Sequence, residues 1–470
     1  MRKGRSAMQV TVADMMAARE ARAQMQQTLL AGNPGAVLVC LTMNVAGPVK
    51  TDAQIERAFA WGRAGIEAVL APQRRLFAAE IHEATGPEAV LVVEGDAGEI
   101  KRRLCALEDG CAMGRLLDVD VLFGQGEKVS RGDVGLPPRR CLICGEPAAV
   151  CARSRAHSAQ ELFARTQEII RTHFEDAFAR RVAEQAERAL LTEAALAPKP
   201  GLVDRLNPGA HRDMDLFTFI DSACALRPYF ETCVREGLAH RGGDEAACFD
   251  ALRAPGLLAE ARMRGATGGV NTHKGAVFSM GVLCAALGMG YDGEGSDPEA
   301  ALLRCRRMTR MRMEEELARA AQGAGDSCGE QLYRSRGIGG VRREAAAGFP
   351  SVREAALPRL RACLHAGMGL QEAALCALVA LMARVEDTNA VRRGGAEGAR
   401  QLRERAEAED AALCLRLAQP GLDARAEGDA VKARLAQWDA ELTAKGISPG
   451  GCADMLALTL MVIFMEEQAA

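Results

Sequence analysis

The chain has 470 residues, 49% of them apolar, which is too long for one ordinary core and predicts two domains. A formal charge of −3 gives no electrostatic footprint for nucleic acid or for an anionic membrane surface. Sixteen cysteines scattered through so large a chain, with no secretory leader in view, point to reduced thiols in a cytoplasmic protein rather than to a disulfide framework.

In chain order, the apolar spacing of residues 11–31 predicts a helix, and AVLVCLTMNV (36–45) a buried strand that stops before the Gly47-Pro48 turn. A helix follows over 55–71, then a strand at AVLVVEGD (89–96) and a helix over 98–110. MNVAGPVK (43–50) and HEATGPEA (82–89) read as loops whose Lys50 and His82 could face a site.

GRLLDVDVLFG (114–124) is the next strand, and its period of two puts Asp118 and Asp120 on one face, with Leu117, Val119 and Val121 turned to a core. Two carboxylates so close repel each other, so a cation is expected between or above them. A divalent metal carrying a phosphorylated substrate would supply it; a solvated open face is the alternative.

Past a turn-rich stretch at 130–147, Cys141, Cys144, Cys151 and His157 have a spacing that could complete a tetrahedral structural zinc site, ordinary reduced cysteines being the alternative. Arg115, Arg131, Arg139, Arg140, Arg153 and Arg155 cluster around the acidic pair, and guanidinium forks suit phosphate oxygens, though solvated loops are also basic.

From about residue 158 the texture becomes helical to the end, with Ala, Leu, Glu and Arg abundant and β-branched runs nearly absent. The expectation is an α+β N-terminal domain, a mixed sheet with helices, over 1–178, followed by an all-α C-terminal domain over 179–470. AVFSMGVLCAALGMG (276–290) and MLALTLMVIFM (455–465) are too short to span a bilayer and read as buried helices.

Four polar motifs interrupt these helices. EAALAPKPGLVDRLNPGAHRDMDLFTF (193–219) gathers Lys199, Asp204, Asn207, His211, Asp213 and Asp215 in a turn-rich loop. GATGGVNTHKGAVFSMG (265–281) opens a helix behind a glycine-rich loop, with Asn271, His273 and Lys274 at a helix start that favours phosphate. VEDTNAVRRGGAEGA (385–399) and ISPGGCADMLALTL (447–460) add Asp387, Asn389, Arg393 and Asp454.

In the first half, NVAGPVK, HEATGPEAVLVV, GRLLDVDV and LPPRRCLICGEPAAVCARSRAH follow one another as in the apo-citrate lyase phosphoribosyl-dephospho-CoA transferase family. That resemblance covers roughly residues 10–175. It implies transfer of a phosphoribosyl-dephospho-CoA group to a serine of an acyl-carrier subunit, with release of pyrophosphate. Mg2+ on Asp118 and Asp120, and Arg115 on phosphate, would serve such a step.

In the second half, the four motifs together resemble the triphosphoribosyl-dephospho-CoA synthase family over about 185–470. That resemblance implies that ATP and 3′-dephospho-CoA are joined with loss of adenine. Lys199, Asn271, His273, Lys274 and Arg393 would then hold nucleotide and phosphates. Asp204, His211 and Asp213 are the acid–base candidates, and Asp387 and Asp454 the Mg2+ ligands. The combination implies a CitX–CitG fusion acting on citrate lyase. The same chemistry serving malonate decarboxylase, a non-catalytic nucleotide-binding regulator and a simple ATPase are the competing readings.

Overall fold

The computed structural model describes residues 9–321 and 338–467. The chain divides into two compact units, Met1–Phe174 and Glu175–Ala470.

In the first unit the order is α1 (Val12–Gly32), β1 (Val37–Met43), α2 (Ala53–Leu70), β2 (Arg75–Glu83), β3 (Gly86–Val93), α3 (Ala97–Asp109), β4 (Leu117–Phe123), β5 (Glu127–Lys128) and α4 (Ala148–Ser154). Helix starts are where the sequence supplies an oxygen for the free amides: Thr11 caps α1, Asp52 caps α2 and Asp96 caps α3. The five strands lie in the order β2-β3-β1-β4-β5, and every pairing is antiparallel, so the expected mixed sheet is a purely antiparallel one.

One face of this sheet, with Val39, Leu41, Leu91, Val119 and Val121, packs under Phe59 and Ile66 of α2 and Ile100 and Leu104 of α3. Each such fully buried aliphatic contributes about 1.5–3 kcal/mol. On the other face Leu38, Cys40, Val90 and Val92 meet Leu30 of α1. Residues 82–89, expected as a loop, are instead the end of β2, a tight turn and the start of β3. β2 is an edge strand exposed along most of its length, so it has no apolar alternation to betray it.

The second unit is helical. A long helix, α5 (Ala159–Ala195), contains the division between the units. It is followed by α6 (Leu216–Ala239), α7 (Glu245–Ala251), α8 (Arg253–Ala266), α9 (Lys274–Met289), α10 (Pro298–Ala321) and α11 (Gly340–Ala347). Then come α12 (Leu357–His365), α13 (Leu370–Arg384), α14 (Thr388–Leu417), α15 (Ala424–Lys445) and α16 (Gly450–Glu467). Helices α9, α13 and α16 are apolar on every side and buried along most of their length, as helices at the centre of a large core must be. Among the described residues no helix is long and apolar enough to cross a membrane.

Candidate functional site

The loop between α5 and α6 is fixed by side chains from its own ends and from α15. Asp204 accepts hydrogen bonds from the amides of Lys199 (2.9 Å), Leu206 (2.7 Å) and Asn207 (3.0 Å). Asp439 of α15 accepts from the Gly201 amide (2.8 Å) and from Asn207 Nδ2 (2.9 Å). Gly201 has φ +71°, and a Cβ there would overlap the Ile447 carbonyl, so only glycine fits this turn. Below the loop, Lys199 Nζ donates to Glu193 Oε1 at 2.5 Å, and both side chains are buried.

This loop, the start of α9, the α14 start and the α16 start enclose a cavity of about 260 Å3. Lys199, His211, Asp213, Asn271, His273, Lys274, Arg393 and Asp454, chosen from separate motifs, all line it. Asp204 and Asp387 do not. Asp204 organises the loop as described, and Asp387 caps α14, with Oδ1 accepting from the Asn389 (2.8 Å) and Ala390 (2.9 Å) amides and Oδ2 from the Cys452 amide (2.9 Å). Both are scaffold carboxylates in this structure, occupied by backbone donors.

Within the cavity, Arg393 donates to the Ala210 carbonyl (2.9 Å) and to His211 Nδ1 (3.1 Å). His211 Nε2 is therefore the protonated nitrogen, and it donates to Ser448 Oγ at 2.9 Å. Burial and the Arg393 charge push the His211 pKa down to about 4. His273 Nδ1 lies 2.7 Å from Ser222 Oγ, which also accepts from Thr272 Oγ1 at 2.7 Å. The buried Nε2 of His273 has no hydrogen-bond partner among the described residues. Burial, aided by Lys199, pushes the His273 pKa down to about 3, so both rings are neutral at pH 7.

Lys274, the first residue of α9, pairs with Glu260 at 3.0 Å. Asp454 is half-buried and supported by the Ala276 amide. Burial, with the charges of Glu193 and Asp387 nearby, pushes its carboxyl well above the usual range. Neither Asp454 nor Asp213 has an ion-pair partner among the described residues.

Glu193, Ser448 and Arg392 also line the cavity, and Ser222 and Asp439 brace it. Glu193 and Ser448 lie inside the quoted motifs, so their sequence signal was position alone. Asp439 carries none, because it sits in a regular helix.

In the first unit Asp118 and Asp120 face the same way from β4, opposite Thr42 and Cys40 of β1. The positive charge the sequence demanded comes partly from the chain itself: Lys128 is 2.5 Å from Asp120, and Arg139 is 3.6 Å from Asp118. Arg139 also pairs with the buried Glu108 at 2.5 Å. Arg131 is held by Glu108 and Asp109. Lys50 donates to the Val45 carbonyl at 2.5 Å, and His82 sits on β2 beside Glu56 (2.8 Å) and Glu80 (3.2 Å).

Cys141, Cys144, Cys151 and His157 come together, with one ligand atom from each lying within 4.8 Å of all the others. They are the one group of three or more potential metal-ligating side chains among the described residues. Beside them is a second cavity, of about 500 Å3, which Arg115, Arg139, Arg140 and Arg155 line. All described cysteines are free thiols.

Comparison with known proteins covers almost the whole chain. Residues 10–173 match the family described as apo-citrate lyase phosphoribosyl-dephospho-CoA transferase, and residues 179–470 the family described as ATP:dephospho-CoA triphosphoribosyl transferase. Protein CitXG of Haemophilus influenzae is 34% identical over 463 residues, covering 97% of this chain and 96% of that protein. Protein CitXG of Leuconostoc mesenteroides is 34% identical over 390 residues, covering 80% and 82%. The 2-(5''-triphosphoribosyl)-3'-dephosphocoenzyme-A synthase of Haemophilus ducreyi is 35% identical over 336 residues, covering 68% of this chain and 98% of that protein.

Proposed function

The chain belongs to the family that fuses an apo-citrate lyase phosphoribosyl-dephospho-CoA transferase to an ATP:dephospho-CoA triphosphoribosyl transferase, and we propose how its residues divide that work. It is a bifunctional transferase of citrate lyase prosthetic-group maturation. The second unit joins ATP to 3′-dephospho-CoA with loss of adenine. The first passes the phosphoribosyl-dephospho-CoA group to a serine of the apo acyl-carrier subunit, releasing pyrophosphate. ATP and dephospho-CoA are cytoplasmic metabolites, which supports work in that compartment.

In the second unit, Lys274, Arg392 and Arg393 are the cations for the ATP triphosphate, with Asn271 and His273 on the nucleotide. Lys199 is spent on Glu193 and acts as an internal brace. Asp454 is the Mg2+ ligand: a carboxylate without an ion-pair partner in a cavity lined by cations fits a metal-bound triphosphate. That observation carries the assignment. Mg2+, when bound, would neutralise charge between Asp454 and the phosphate oxygens.

The bond from ribose C1′ to adenine N9 breaks, and a bond from C1′ to the 2′-oxygen of dephospho-CoA forms. Developing positive charge at C1′ needs a nearby carboxylate, and the 2′-hydroxyl proton needs an acceptor. Asp213, which has no ion-pair partner among the described residues, is proposed for the proton. His211 is a positioning residue, since its Nδ1 lone pair is already taken by Arg393.

In the first unit Asp118 and Asp120 are proposed to hold Mg2+ against the donor's phosphates. Two carboxylates on one strand face, with Asp118 largely open to solvent, fit that ion. Arg115 is proposed for the phosphates as well. A structural zinc fits Cys141, Cys144, Cys151 and His157, whose donor set of three thiolates and one imidazole suits zinc.

The test is intact-mass measurement of apo acyl-carrier subunit incubated with the chain, ATP, 3′-dephospho-CoA and Mg2+. A mass gain of one phosphoribosyl-dephospho-CoA, dependent on both small molecules, is expected. An unmodified carrier in the presence of folded protein would contradict the reading.

A further inference from the structure

Three members of the Cys3His cluster lie on the wall of the four-arginine cavity of the first unit. Cys141, Cys151 and His157 line that cavity together with Arg115, Arg139, Arg140 and Arg155, and no Asp or Glu is among its lining residues. Four guanidiniums around one cavity repel each other unless an anion sits among them. Arg139 is compensated by Glu108, but Arg115, Arg140 and Arg155 have no carboxylate partner among the described residues. Arg115 Nε is buried with no acceptor among the described residues.

The turns that carry the sulfurs also set the arginines. Arg140 precedes Cys141, and its Nη1 donates to the Gly145 carbonyl (3.0 Å) inside the Cys-x-x-Cys-Gly turn. Arg115 donates to the Arg140 carbonyl. Arg155 ends α4 in the left-handed conformation, φ +51°, with its amide donating to the Cys151 carbonyl. A glycine would adopt that conformation more cheaply, by about 1 kcal/mol. Arginine at this corner places a fourth guanidinium on the cavity wall.

The sulfurs themselves are set for a metal. Cys144 Sγ and Cys151 Sγ are 3.3 Å apart, and the Ile143 amide lies 3.4 Å from Cys141 Sγ. His157 Nε2 is buried without a hydrogen-bond partner among the described residues. Tetrahedral zinc with bonds of about 2.0–2.3 Å would hold four ligand atoms at close to this mutual spacing.

We propose that zinc on Cys141, Cys144, Cys151 and His157 is the keystone of a polyphosphate pocket, in which Arg115, Arg139, Arg140 and Arg155 grip the triphosphate end of the donor. The proposal rests on the reading that this unit consumes a triphosphate-bearing donor. It ties the pocket to the acidic pair, because Arg139 reaches both the cavity and Asp118. Zinc here does no chemistry. It fixes two loops so that the guanidiniums converge, which lowers the ordering cost of binding.

The experiment uses the full chain carrying Lys274→Ala and Arg393→Ala, which weakens anion binding in the second unit. Elemental analysis is expected to give one zinc per chain, falling below one tenth in Cys144→Ser. Calorimetric titration with inorganic tripolyphosphate is expected to show one site. That site should weaken at least tenfold when zinc is stripped, and equally in Arg140→Ala/Arg155→Ala protein that keeps its zinc. The arginine variant decides the matter even if stripping unfolds the unit. Absence of zinc after purification and zinc addition, or tripolyphosphate binding indifferent to Arg140 and Arg155, would overturn the proposal. Carrier loading by the unmodified chain separates the two levels. Loading without this binding overturns the pocket alone; binding without loading leaves the pocket standing and overturns the transfer reading.

Discussion

Asp454 and Gly275 compete for one space: a Cβ on Gly275 would overlap Oδ2 of the Asp454 carboxylate. The first turn of α9 therefore accepts only a hydrogen at this position if the carboxylate is to stand where it does. Gly275→Ala is expected to displace Asp454 and reduce adenine release about 100-fold, the usual cost of a misplacement of about an ångström in a site. Loading of the carrier from pre-made triphosphoribosyl-dephospho-CoA should be unchanged. Single-turnover assays of the two half-reactions check both statements.

Lys199 and Glu193 form a buried ion pair at 2.5 Å. Lys199→Met removes one partner and leaves the other charge stranded in the core, a loss of about 3–5 kcal/mol. Replacing both, as Glu193→Leu/Lys199→Met, should recover most of that loss. Urea unfolding followed by helical circular dichroism measures the difference.

The two neutral histidines contribute to the acid side of the stability profile. In the unfolded chain they titrate near 6.5, but in the folded chain only at about 4 for His211 and about 3 for His273. Above pH 6.5 neither state binds the extra proton, and their contribution is constant. Below it the unfolded chain is protonated first, so stability falls as pH drops towards 4 and below. Melting temperatures between pH 7.5 and 5 should fall less steeply for His211→Asn than for the unmodified chain.

Asp118→Asn and Asp120→Asn should separate the activities. Each is expected to lower carrier loading at least about 100-fold, given the charge lost beside a transferring phosphate. Adenine release should stay within about twofold, since the second unit has its own cavity lining. Paired assays on one preparation make the comparison.

Strand periodicity made the Asp118–Asp120 face readable, because β4 has one side in the core. The edge strand β2 was not, since it has no buried face to impose alternation. In the second unit the polar motifs marked most of the cavity lining in advance, but not the division of labour within it. Whether a carboxylate faces ligand or backbone is decided by partners far away in sequence. Asp387 is taken by the amide of Cys452, and the Gly201 turn by Asp439. His211 is one of three acid–base candidates in the sequence, and Arg393 and Ser448, both remote in the chain, occupy its two nitrogens.

The most direct test is chromatographic measurement of free adenine from purified chain with Mg2+, ATP and 3′-dephospho-CoA. Adenine should appear only when both substrates are present and should be lost in Asp454→Asn. Adenine released by Asp454→Asn at the unmodified rate, or phosphate released from ATP with no adenine, would contradict the account.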